Sequence, residues 1–168
     1  MDYTDRIDPN NRRTENLRRY VTSVRALLAQ VAALEPKRIS NTLTPSESVM
    51  LANCYFQLGR VLEAARLIRP LADKENDPQE LQVMAQIFIA ARLDADAEKA
   101  LQKFLTRSPN SNADLWLELA KIQHRAGKKQ ASQQSFIAAY KIDKNGVFAK
   151  LQRDQELREL AMPLFQKR

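Results

Sequence analysis

The chain has few of the residues that tight or unusual turns require. Among 168 residues there are three glycines, Gly59, Gly127 and Gly146. An all-β domain needs many turns with special backbone angles, so this scarcity points to helices. Cys54 is the single cysteine, which excludes an internal disulfide and a cysteine-based zinc site. His124 is the single histidine, which removes most multi-histidine metal sites and most histidine-dependent triads. No run approaches the ~20 apolar residues that span a bilayer. The opening residues MDYTDRIDPNNRR lack the apolar core of a secretory signal. If Met1 is the natural start, the chain is expected in the cytoplasm. If it is a piece of a larger protein, the parent sets the compartment.

What is present is an ordinary soluble composition of one domain's length with a net charge of +7, gathered at the two ends. Residues 1–40 hold eight basic and five acidic residues, and residues 113–168 hold eleven and six, whereas residues 79–112 are neutral. Any nucleic-acid or anionic-surface reading must therefore rest on the ends.

Residues 1–12 are polar and read as a flexible lead. An amphipathic helix is expected over 13–35, where Leu17, Tyr20, Val24, Leu27, Val31 and Leu34 alternate at spacings of three and four. Val21 and Leu28 widen the stripe. Glu35-Pro36 is expected to end the helix, because a residue before proline disfavours the helical region, leaving 36–44 as a connection. Helix starts then recur. Thr44-Pro45-Ser46-Glu47 offers an N-cap, a proline at the first helical position and a capping-box glutamate. Asp77-Pro78-Gln79-Glu80 repeats the device, and Ser111 or Asn112 caps a third start after Ser108-Pro109. Between starts the pattern breaks once, at Gly59, at Arg92-Leu93-Asp94 with Asp94 as the expected cap, and at Gly127. Each unit thus reads helix–turn–helix, over about 45–77, 78–112 and 113–144.

The three units align. The first holds Leu51-Ala52, Tyr55, Ala64 and Ile68, and the second holds Met84-Ala85, Phe88, Ala97 and Leu101, closed by Pro109. The third holds Trp116, Leu119-Ala120, Ser132, Phe136 and Ala139. In each, a small residue of the second helix follows the alanine of the first by twelve positions. From unit to unit these small residues lie 33 and then 35 apart. Small residues at matched positions let two helices approach closely. The pattern resembles the tetratricopeptide (TPR) repeat, W-x2-L-G-x2-Y…A-x3-F…P with its 34-residue period. It departs from the pattern at Gln123, where an aromatic is usual, and at Ser48 and Leu81, where tryptophan is usual. The apolar spacing of Val147, Phe148, Leu151, Leu157, Leu160 and Leu164 lacks the small-residue signature, so 145–168 reads as a C-terminal capping helix and tail.

The resemblance implies an all-α solenoid whose first helices line an inner, concave face. On that geometry the exposed positions are Ser46, Val49, Met50, Asn53, Phe56 and Gln57. The second unit adds Gln79, Gln82, Val83, Gln86, Ile89 and Ala90, and the third Asp114, Leu117, Glu118, Lys121, His124 and Arg125. Asn53, Phe56, Gln82, Gln86, Ile89, Lys121 and Arg125 are the expected contacts for a peptide or helix of a partner protein. A TPR subtype grips chaperone-tail carboxylates with a lysine/asparagine/arginine clamp. Only Asn53 matches it here, with Val49, Val83, Asp114 and Glu118 at the other positions, so that role is not expected.

Nothing in the chain reads as catalytic. Glu156 and Glu159 stand three apart beside Arg153 and Arg158, the look of a solvated helix face. His124 reads as a surface residue, Cys54 as a small buried filler, and no phosphate-cradling glycine loop exists. No cofactor, metal or small-molecule substrate is expected. Two further roles stay open. One is a homodimer formed through the stripe Leu17, Tyr20, Val24, Leu27, Val31 and Leu34. The other is binding of nucleic acid or an anionic surface through Arg12, Arg13, Arg18, Arg19 and Arg25 or through the basic C-terminal end. For nucleic acid there is no recognition motif and little aromatic interleaving.

Overall fold

A computed structural model describes residues 12–110 and 112–165. Among them it is all-α, without strands. The helices are α1 (Arg12–Ile39), α2 (Pro45–Gln57), α3 (Val61–Ile68), α4 (Pro78–Ala90), α5 (Asp94–Arg107), α6 (Ala113–Arg125), α7 (Lys129–Ile142), α8 (Lys144–Leu151) and α9 (Gln155–Phe165), with a short 3₁₀ turn at Arg69–Leu71 after α3. The expected flexible lead lies outside the described residues apart from Arg12, which opens α1. The chain divides into two compact units, Met1–Leu67 and Ile68–Arg168.

The start signals act as their chemistry requires. Thr44 and Glu47 form the capping box, the Glu47 amide donating to Thr44 Oγ1 (3.2 Å) and the Thr44 amide to Glu47 Oε2 (2.9 Å). Asp77 accepts from the amides of Gln79 and Glu80 (2.9 and 3.0 Å). Of the two candidates for α6, Asn112 is the cap, accepting from the Asp114 amide (2.8 Å), and Ser111 is outside the described residues.

The stops share one motif. After α2 the amides of Gly59 and Arg60 donate to the carbonyls of Phe56 and Tyr55 (3.0 and 2.8 Å), and after α6 those of Gly127 and Lys128 donate to His124 and Gln123 (2.9 Å each). Both glycines take positive φ, +79° and +72°. This is the Schellman ending, which closes the last carbonyls with a left-handed residue. After α4 the left-handed place falls to Arg92 at φ +58°, with Leu93 donating to Phe88 (3.0 Å). A side chain there crowds the following carbonyl. Arg92→Gly is therefore expected to raise stability by about 0.5–1 kcal/mol, the relief of strain exceeding the added freedom of the unfolded chain. A lowered denaturation midpoint would contradict it. The expected cap Asp94 is instead the first residue of α5. The cap position is Leu93, which contributes no side-chain hydrogen bond, and the Asp94 carboxylate is used elsewhere.

α1 runs past its expected end, with Pro36 inside it. The proline removes one hydrogen bond to the preceding turn, but only three residues follow, and their turn is closed by another Schellman ending. There Asn41 stands at φ +54°, and the Thr42 amide donates to the Lys37 carbonyl (2.9 Å). The Tyr55 hydroxyl donates to the Glu35 carboxylate, and Lys37 pairs with Glu47 at 2.5 Å. These contacts hold the C-terminal half of α1 against α2, and Leu34 is buried. Ala52 and Ala64 are fully buried.

In the second unit α4 packs on α5, α5 on α6 and α6 on α7. Ala85, Ala97 and Ala120 have no exposed surface, and Ser132 at 1% sends its hydroxyl to the Ala120 carbonyl (2.9 Å). Gln123, at a place usually aromatic, is buried and accepts from the Ser135 hydroxyl (2.8 Å), so a closed polar pair replaces the ring. The single C-terminal capping helix is in fact the hairpin α8–α9. Asp143 caps α8 through the Gly146 amide (2.8 Å), and Asp154 starts α9 through the Leu157 amide (3.2 Å). Val147, Leu157, Leu160 and Ala161 complete one core with Ala113, Leu117, Ala120, Phe136 and Ala139. Residues 166–168 of the expected tail lie outside the described residues.

Candidate functional site

The three expected portions of the partner-binding face differ in character. On α2, in the first unit, Asn53 and Phe56 are half-buried and Met50 and Gln57 are exposed. Val49, expected on the open face, is 4% exposed, on a helix that also carries α1.

On α4, in the second unit, Gln82, Gln86 and Ile89 follow at spacings of four and three, which places them on one helix face. Gln79, Gln86 and Ala90 are exposed, and Gln82, Val83 and Ile89 are half-buried. No charge interrupts this strip. The amides of Gln82 and Gln86 have no hydrogen-bond partner among the described residues. Each offers two N–H donors and a carbonyl acceptor, the complement of an extended peptide backbone.

On α6 the charges are already matched within the unit. Arg125 donates to Asp94 through Nε and Nη2 (2.8 and 3.0 Å) and to Glu156 through Nη1 (2.8 and 3.1 Å). Hydrogen bonding to Asp94, reinforced by Glu156, raises the pKa of the guanidinium against the opposing effect of burial. The same bond lowers that of the Asp94 carboxyl. Lys121 reaches Glu118 (2.7 Å) and Asp154 (3.5 Å). Burial alone would lower its pKa, but Glu118 and Asp154 outweigh it and the net shift is upward. Asp114 pairs with Lys150 (2.7 Å). Leu117, expected to be exposed, is buried at 2% because α9 packs against α6 and brings Leu157 into the same core. Beside it a cleft of about 430 Å³ is lined by Lys121, Lys150, Arg153, Glu118, Asp154 and Glu156, charges of both signs.

Among the described residues no group of three or more metal-ligating side chains is assembled. Cys54 is buried, with its thiol donating to Gln30 Oε1 (3.1 Å), and burial pushes the thiol pKa up, away from the reactive thiolate. His124 is half-buried on α6 rather than on open surface.

The stripe on α1 splits in two. Leu34 is buried and Val24, Leu27 and Val31 are half-buried, whereas Leu17 and Tyr20 are 62% and 67% exposed. Sequence reasoning missed the distant partners, Asp154 of Lys121 and Asp94 and Glu156 of Arg125. Arg125 stands 31 residues from both Asp94 and Glu156, and no local pattern signals a pairing at that separation.

No family model matches the chain, and no curated protein matches it. Among solved structures the chain is similar to MamA MSR-1 C2, a TPR-like protein. The TM-score is 0.61 with 16% identity, over 85% of this chain and 86% of that one. At that identity the likeness concerns the fold, which is an all-α helical repeat of the TPR type.

Proposed function

We propose that the chain is a non-catalytic protein-interaction module that takes a peptide or helical segment of a partner on the inner faces of its first helices. The observation that carries this reading is the α4 strip. Gln82 and Gln86 present amides without a hydrogen-bond partner among the described residues, on the same face as the half-buried Ile89. Two amides meet a peptide backbone while Ile89 seats one apolar side chain, the division of labour common in peptide grooves. Asn53 and Phe56 on α2 offer the same combination within the first unit. Lys121 and Arg125 belong to the reading with a condition: an acidic group of the partner must take the place of Asp154 or Glu156. Desolvated charge exchanged for charge yields selectivity more than affinity.

Affinity capture with the intact chain, followed by mass spectrometry, identifies the partner. The double variant Gln86→Arg/Ile89→Glu is then expected to weaken its binding at least about tenfold, since anchors of this kind are worth ~1–2 kcal/mol. Lys99→Glu, on the outer helix α5, is expected to bind as the parent does. If the outer-face variant loses the partner and the α4 variant keeps it, the site is on the other face.

A further inference from the structure

We propose that the N-terminal half of α1 docks on an anionic lipid surface, lying in the plane of the headgroups as an amphipathic helix. The proposal is independent of the face on α4.

Three observations carry it. First, at 100° per residue Leu17, Tyr20, Val21, Val24, Leu27 and Leu28 share an arc of about 120°, and Leu17, Tyr20 and Leu28 are 62%, 67% and 52% exposed. The side-chain hydrogen bonds from α1 to α2 come from Gln30, Glu35 and Lys37, so residues 12–28 project beyond them. Second, residues 12–28 contain five arginines, Arg12, Arg13, Arg18, Arg19 and Arg25, and one acidic residue, Glu15. Glu15 is already paired with Arg19. Third, Arg18 and Arg25 fall at one border of the apolar arc and make no ion pair among the described residues. From a border position a long arginine stem follows the apolar surface while its guanidinium reaches the phosphates.

A second copy of the chain is the competing occupant, and the charges oppose it. Two such segments would bring four net positive charges against four. Flanking the central row of Leu17, Tyr20, Val24 and Leu27, Asn16, Ser23 and Gln30 on one side and Val21 and Leu28 on the other supply no interchain ion pair. The uncovered stretch from Leu17 to Leu28 is also shorter than two heptads. An anionic membrane reverses the sign of the electrostatic contribution and accepts the apolar face as well. No helix among the described residues is long and apolar enough to cross a membrane, so the mode is adsorption.

Co-sedimentation of the full chain with vesicles tests this. The comparison is phosphatidylcholine alone against the same lipid with roughly one-third phosphatidylserine, at low and high salt. Binding is expected to the anionic vesicles only and to fall at least about tenfold at high salt. Leu17→Ser/Tyr20→Ser, which keeps the charge, and Arg18→Glu/Arg25→Glu, which keeps the apolar arc, are each expected to reduce partitioning about tenfold or more. Both pairs lie on exposed surface, so an unchanged circular dichroism spectrum and melting midpoint confirm that the fold is intact. Equal binding to the two vesicle types, no binding, or an unaltered Leu17→Ser/Tyr20→Ser variant overturns the proposal. If vesicles are ignored while light scattering shows a dimer that this variant dissociates, the occupant is a second copy.

Discussion

Phe136→Ala is expected to destabilise the second unit by about 3–5 kcal/mol, the usual cost of emptying a large buried aromatic site. Phe136 is 2% exposed and sits where α6, α7 and the C-terminal hairpin meet, among Leu117, Ala120, Val147, Leu157 and Leu160. Those neighbours come from three helices, α6, α8 and α9, so no single side chain can move in to fill the void without unseating another. Against a domain stability of ~5–15 kcal/mol, the loss is a large share of the total. Ile137, the next residue on α7, is 41% exposed, and Ile137→Ala is expected to cost under about 1 kcal/mol. Urea denaturation of the two variants reads the difference directly. Equal midpoints would mean that the hairpin α8–α9 does not close this core.

The second large effect comes from adding volume. Ala120 has no exposed surface, and its carbonyl receives the Ser132 hydroxyl across the α6–α7 contact. An indole ring at that position must push the helices apart or leave its rotamer, at a cost of about 1–3 kcal/mol or more. The Ser132 bond is lost in the first case, which adds an unpaired buried hydroxyl. Ala95→Trp on the exposed start of α5 is the control, expected within about 0.5 kcal/mol of the parent. A melting temperature unchanged by Ala120→Trp would show that the small residues of the repeat are not spacers.

These two positions illustrate why the repeat was legible. An alanine followed twelve residues later by a small residue, three times over, reports a helix-to-helix distance, and a distance of that kind tolerates few side chains. The capping residues Thr44, Asp77 and Asn112 were legible for a similar reason, since each acts on amides two or three residues away. The stops were legible only where glycine marked them. Asn41 and Arg92 take the same left-handed conformation without that label. The end of α1 differs from the expected one because a proline with only three helical residues after it removes one hydrogen bond, and the left-handed Asn41 closes the turn that follows.

The candidate face divides along the same line. That Gln82, Gln86 and Ile89 share one side of a helix follows from their spacing alone, as does the one-faced stripe of α1. Whether those faces are open was decided by packing. α9 lies on α6, buries Leu117 and delivers Glu156 to Arg125, while the turn before α9 brings Asp154 to Lys121. On α1 Leu34 is buried and Val24, Leu27 and Val31 are half-buried, whereas Leu17, Tyr20 and Leu28 stay exposed. By itself, then, the sequence determined the helix pairs of the repeat, the caps Thr44, Asp77 and Asn112 and the residues that share each face, because these depend on spacings of two to four residues and on the repeat of small side chains. Only the tertiary structure decided which faces remain exposed and which charges are already spent, because burial and ion pairing join residues some thirty positions apart, where no local period carries information.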